Sequence, residues 1–171
     1  MSSPNLFFGK YRGTVLNNID PEQRGRLTLQ VPDVSGLLPT TWALPCWPFG
    51  GKQMGFFALP QIGAGVWVEF EHGDPDYPIW TGCWYGSSAE VPSMAKATPA
   101  PLSCIVMQTT AQNSFVISDM PGPTGGIMLK TGTGAMITIN DIGITITNGK
   151  GATIQLTGPS VNINAGALMI T

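Results

Sequence analysis

Residues 136–171 read MITINDIGITITNGKGATIQLTGPSVNINAGALMIT, and the alternation within that stretch decides the fold. Apolar side chains recur in steps of two: Ile137 and Ile139, then Ile142, Ile144 and Ile146, then Ile154 and Leu156, then Val161 and Ile163, then Leu168 and Ile170. Thr, Asn and Gln fill most of the places between them. A period of two marks β-strands, whose successive side chains point to opposite faces. Asn140-Asp141, Asn148-Gly149, Gly158-Pro159 and Ala165-Gly166 punctuate the pattern as turns. From Ile127 to Thr171 there are only three charges, Lys130, Asp141 and Lys150. Short, flat strands with so little charge expose pairing edges and aggregate. The stretch therefore predicts several copies wound together, with edges paired and apolar faces meeting on a shared axis.

Upstream, CIVMQTT (104–110) and NSFVISD (113–119) read as two further strands, followed by a turn in DMPGPTGG. Strands recur near Ile127, Ala135, Ile142, Ala152, Ser160 and Ala167 without copying a motif. Repetition of one short strand-plus-turn unit suits a β-helix or fibrous prism, whose units are stable only when stacked. Six such strands at about 4.8 Å spacing predict a shaft of roughly 30 Å.

Residues 87–101, SSAEVPSMAKATPAP, are rich in Pro, Ala and Ser and predict an extended connector. Before it lie all five Trp and all three Tyr. Strands are expected at Phe7–Asn17, Gly25–Val31, Thr41–Leu44, Gly55–Ala58, Gly65–Glu71 and Pro78–Trp84, with turns at Asp20-Pro21, Pro32-Asp33, Gly50-Gly51 and Gly73-Asp74-Pro75. Five or six short strands without a convincing helix suit a small closed barrel of OB type. The expected boundaries are 1–86 for the barrel, 87–101 for the connector and 102–171 for the strand array.

Composition narrows the functions. Charged residues are 11% of the chain, against about 25% in ordinary soluble domains, so much of the surface is expected to lie against protein. A net charge of −2 and no Lys/Arg run argue against nucleic acid. Cys46, Cys83 and Cys104 show neither CxxC nor zinc spacing and read as small, buried or semi-buried thiols of a reducing compartment. The N-terminus MSSPNLFFGKYRG lacks the charged and apolar blocks of a signal peptide. Synthesis in the cytoplasm is expected, with any export as part of something larger.

Chemistry is scarce. His72, the one histidine, sits among Glu69, Glu71, Asp74 and Asp76. A strand puts the two glutamates opposite it, and Gly-Asp-Pro-Asp is turn chemistry, so no metal or cofactor is expected. There is no GxSxG elbow and no phosphate-cradling loop. Asp20, Glu22 and Asp33 lie near turns, with nothing to single out an acid pair. Trp42, Trp47, Phe56, Phe57, Trp67, Phe70 and Trp80 offer either a stacking face for bases or sugars or a core and protein contact. The lack of basic companions favours the second.

The barrel then shows a family pattern. RGRLTLQVPDV, Trp42, the Gly50-Gly51 and Phe56–Pro60 region, and PQIGAGVWVEFEHGDPDYPIWTG resemble the OB domain of the phage baseplate assembly protein V and central spike family. The resemblance covers residues 9–86, and SDMPG with GGIMLKTGTGAMITINDIGITI resembles the trimeric β-helix that follows in that family. The resemblance implies an all-β protein, an OB-type barrel followed by an intertwined trimeric β-helix, without enzymatic activity. It implies a homotrimeric central spike in a phage tail or phage tail-like particle, piercing the target envelope and touching membrane only transiently. Ile137, Ile139, Ile144, Ile146, Ile154, Leu156, Val161 and Ile163 are the expected trimer interior. The connector leaves no room for a lysozyme domain, no His-x-His iron tip is present, and a separate hub protein is required at the OB end. Because Leu168, Met169, Ile170 and Thr171 stop in mid-pattern, a tip protein of the PAAR type is expected to cover them. The competing classes are an OB-fold glycan- or nucleic-acid-binding module on a trimerisation stalk, and a cell-wall hydrolase, which lacks a spare domain and a usable acid pair.

Overall fold

The computed structural model describes residues 5–170, and the chain divides into two compact units at Ser88/Ala89. Both are built from strands; the longest helical segment among the described residues has five residues.

The first unit contains β1 (Tyr11–Asn17), β2 (Thr28–Gln30), β3 (Leu44–Pro45), β4 (Gly50–Gly51), β5 (Met54–Gly55), β6 (Gly65–Phe70) and β7 (Pro78–Trp84). Its main sheet has the order β2-β1-β6-β7-β3. All neighbours are antiparallel except β3 with β7, which run parallel. Reciprocal backbone bonds between Leu27 and Ala43, at 3.1 and 2.7 Å, return the chain before β3 to the chain before β2. That closure makes a five-stranded barrel and removes the open edges. The inward residues follow the period of two: Leu27, Leu29 and Val31 from β2 and its flanks, Val66, Val68 and Phe70 from β6, with Val15, Ala43 and Trp80 completing the core.

Several expected strands are shorter than the sequence suggests. The β1 strand begins at Tyr11 rather than Phe7, and Thr41–Leu44 contributes only a bridge and the two-residue β3. Gly50-Gly51 is not simply a turn, because it pairs with Met54–Gly55 in a separate small hairpin. Phe56 and Phe57, expected in a strand, follow that hairpin without strand structure.

The second unit holds β8 (Cys104–Gln108), β9 (Ser114–Ser118), β10 (Gly126–Lys130), β11 (Met136–Asn140), β12 (Gly143–Thr147), β13 (Thr153–Thr157), β14 (Ser160–Ile163) and β15 (Leu168–Ile170). They form one eight-stranded meander in sequence order, each antiparallel to the next. Eight strands at about 4.8 Å spacing span roughly 34 Å. Asparagines fix the hairpins by accepting backbone N–H bonds. Asn140 Oδ1 accepts from Ile142 and Gly143 at 3.0 and 3.3 Å, and Asn148 Oδ1 from Lys150 and Ala152 at 2.9 and 3.1 Å. Ile142 consequently lies in the turn between β11 and β12, outside the strand face that the alternation suggested.

Within the stretch expected to be an extended connector, Ser93–Ala97 forms a 3-10 helix. Gln108 Oε1 accepts the Met94 N–H at 3.2 Å, and the hydroxyls of Thr98 and Ser118 lie 2.6 Å apart. The segment thus folds onto β8 and β9 instead of spanning freely.

Candidate assembly surface

Register decides which side chains share a face. Reading partners from β8 to β15, one row runs Ile105, Ile117, Ile127, Ile139, Ile144, Leu156, Val161, Ile170. The next row on the same face runs Met107, Phe115, Leu129, Ile137, Ile146, Ile154, Ile163, Leu168. Two unbroken apolar rows therefore cross the whole sheet, without a polar residue in either. Cross-strand pairs of this kind stabilise a sheet, but only when the face they form is covered.

Within one chain it is not covered. Ile105 is 60% exposed, Ile139 46%, Leu129 49% and Ile170 57%. Among the described residues of the unit, Val116 alone is a fully buried apolar side chain, and it points to the other face. That other face carries Thr138, Thr145, Gln155 and Asn162 in its middle row and, Met136 apart, is polar from β11 to β14. Over β8 and β9 it is where the folded connector sits: Gln108 and Ser118 both belong to it, and Ser114, Val116 and Ser118 are buried there. One face is thus closed by its own chain or wet, and the other is apolar and open. An open apolar patch of this extent marks an association surface.

The eight residues expected to line an interior all lie on the open face: Ile139, Ile144, Leu156 and Val161 in one row, Ile137, Ile146, Ile154 and Ile163 in the other. Sequence reading missed the share contributed by β8 to β10, namely Ile105, Met107, Phe115, Ile117, Ile127 and Leu129. Its signal was blurred because Val106, Val116 and Met128 make the opposite face apolar as well. Leu168 and Ile170 continue the two rows in β15, the backbone of Met169 pairs with Asn162, and Thr171 lies outside the described residues.

The barrel residues weighed for chemistry are otherwise engaged. Lys10 Nζ donates to Glu69 at 2.6 Å, Asp74 accepts the Asp76 N–H at 3.0 Å, and His72 holds a turn at φ 53°. No three His, Cys, Asp or Glu side chains gather into a metal-sized group among the described residues. Cys104 is half-buried, within the expectation, whereas Cys46 and Cys83 are exposed, contrary to it. Phe70 and Trp80 are buried in the core with Trp47 packed against it, whereas Phe57 is 62% exposed. The aromatics do have basic companions, contrary to the sequence reading. Arg12 stacks on Trp67 and Trp84 at 5.8 and 5.2 Å, and Arg26 on Trp42 at 5.3 Å. These cations occupy ring faces that a base or sugar would need.

Asp20 organises the loop between β1 and β2. Its carboxylate accepts backbone N–H bonds from Glu22, Arg24 and Arg26 at 3.0, 2.8 and 3.2 Å, and two guanidinium bonds from Arg26 at 3.0 and 2.7 Å. The Arg26 guanidinium holds the Asp20 carboxyl far below the ordinary carboxylate range, against the opposing effect of burial, and the three backbone bonds add to it.

Residues 11–85 match the type VI secretion system/phage-baseplate injector OB domain, and residues 104–169 match the phage baseplate V C-terminal trimerisation domain. Type VI secretion system spike protein VgrG5 of Pseudomonas aeruginosa is 46% identical over 52 residues, 28% of this chain and 7% of that protein. The actin cross-linking toxin VgrG1 of Vibrio cholerae is 46% identical over 52 residues, 28% of this chain and 5% of the toxin. The spike protein VgrG3 of Vibrio cholerae is 39% identical over 51 residues, 30% of this chain and 5% of that protein. The matched segments cover less than a tenth of each of these relatives.

Proposed function

Because this chain belongs to the phage baseplate V and central spike family, we propose that it is a structural subunit of a homotrimeric spike in a contractile, phage tail-like machine. The observation that carries the reading is the pair of unbroken apolar rows open on one face of the trimerisation unit. Three copies turned inward around one axis would bury both rows and wind the strands into a threefold prism. The function is then mechanical. Sheath contraction supplies force, and a shaft about seven strand spacings long transmits it to the target envelope. Stiffness would come from repetition, since every interior Ile or Leu is present once per chain around the axis.

In this reading the barrel end meets a separate hub protein. The edge of β15, which pairs with β14 alone among the described residues, receives a tip protein. The particle would carry the spike outside the producing cell; no described helix is long and apolar enough to cross a membrane. Light scattering after size exclusion tests the premise. A stable mass of three chains is expected, and a monomer at micromolar concentration would overturn the proposal.

A further inference from the structure

The sheet unit from β8 onwards carries four charges, and the meander sorts them by sign. Turns of an antiparallel meander alternate between its two long edges. Lys130 ends β10 and Lys150 lies in the turn between β12 and β13, both on the edge that also holds the β8–β9 turn. Asp119 follows β9 and Asp141 lies in the turn between β11 and β12, both on the opposite edge. One long edge is therefore cationic and the other anionic. Five-residue strands hold them roughly 16 Å apart, and none of the four forms an ion pair within the chain among the described residues. The other two charges of the unit, Glu90 and Lys96, lie in the segment before β8.

The heights of the charges also agree. Asp119 sits one strand before Lys130, and Asp141 one turn before Lys150, so both lysines lie about one strand spacing, ~4.8 Å, beyond an aspartate. In a threefold ring equivalent residues share one height, so strands that slope by one spacing across the sheet bring both pairs together if the cationic edge of one sheet meets the anionic edge of another. Edge to unlike edge is a head-to-tail contact, which closes into a ring rather than a face-to-face pair.

We propose that these edges are the corner contacts between copies of this chain, with Lys130 of one copy facing Asp119 of the next and Lys150 facing Asp141. The proposal rests on the homotrimer reading and adds the hand of assembly and the slope of its strands. The apolar rows alone leave both open, because they present the same two rows along the whole shaft. Exposed pairs contribute little to final stability but steer encounter and reject wrong registers. Asp141 Oδ2 already accepts the Gly122 N–H at 2.9 Å, which holds the carboxylate in place at its edge.

The test is reassembly of the full chain from denaturant at low salt, followed by light scattering. Lys130→Glu with Lys150→Glu makes both edges anionic, and Asp119→Lys with Asp141→Lys makes both cationic. Each half-swap is expected to slow trimer formation about tenfold, an effect lost at about 0.5 M salt. The fourfold swap, with both edges reversed, is expected to return to the unmodified rate. Unchanged half-swaps, or a fourfold swap no faster than either half, would overturn the pairing. An unmodified chain that never forms a trimer would instead overturn the function on which it rests. Should the variants fail to fold, zero-length carbodiimide coupling of mixed light and heavy unmodified chains decides. Interchain Lys130–Asp119 and Lys150–Asp141 links are expected, and links of these lysines to other acids alone refute it.

Discussion

At the scale of single residues, Asp20 and Arg26 show how a loop becomes rigid. Asp20 has only 3% of its side chain exposed, and five N–H groups converge on it. Its folded-state pKa lies far below the unfolded value near 4. The contribution of ionised Asp20 to stability is therefore fully present above about pH 4 and is lost as the pH falls through the depressed folded value. Asp20→Asn is expected to lower the melting temperature of the barrel by several degrees at pH 7, with the deficit shrinking below pH 3. Melting curves by circular dichroism from pH 7 to 2 check this, and a deficit constant over that range would show that packing, not charge, is at stake. The sequence marked Asp20-Pro21 as a turn. Its bond to an arginine six residues on was not legible, because no spacing rule links a carboxylate to a guanidinium across an irregular loop. Gly143 is a second such position. It sits at φ 150°, and a Cβ there would collide with the Leu156 carbonyl oxygen of the next strand. Gly143→Ala should cost about 1–3 kcal/mol, read as a lower denaturant midpoint with an unchanged slope.

At the scale of elements, legibility followed strand length and the contrast between faces. The β7 strand falls at Pro78–Trp84, as the sequence predicts, and β11 to β14 each fall on an alternating run. The hairpin of β4 and β5 was not legible, since two-residue strands contain no period to detect. The runs CIVMQ and SFVIS blurred for a different reason: a cover supplied by the connector allows apolar residues on both faces. Faces make a sharp prediction. Ile144 and Thr145 are adjacent in β12 but point to opposite sides of the sheet. Ile144→Asp or Ile154→Asp would bring three carboxylates together on the dry axis of a trimer, where unpaired charge is prohibitive. Either variant is expected to be insoluble or monomeric, whereas Thr145→Asp, on the polar face, should remain a soluble trimer. A soluble trimer from Ile144→Asp, measured by light scattering beside the Thr145→Asp control, would refute the interior assignment.

At the scale of the molecule, the two units differ in what holds them together. The barrel closes on itself around Val15, Leu27, Leu29, Val31, Val66 and Val68, each 1% exposed or less, and needs no partner to bury them. The sheet unit has no comparable core within one chain, and its sixteen-residue apolar face is largely open. Covering that face in a trimer removes roughly half of each side chain from water. At about 25 cal/mol per Å² this gives on the order of 25 kcal/mol per chain as an upper bound. A unit whose stability comes from association must unfold in a concentration-dependent way, because the folded state is then linked to the trimer by mass action. A closed monomeric barrel must not. Calorimetry of the full chain across a hundredfold range of concentration is therefore expected to show two transitions. The one assigned to residues 89–171 should move upward by several degrees as concentration rises, while that of residues 1–88 stays fixed. Ile144→Asp should abolish the first transition and leave the second in place. If both transitions moved together, the barrel too would draw its stability from assembly. If neither moved, the sheet would be stable as a single chain and its open face would need another explanation.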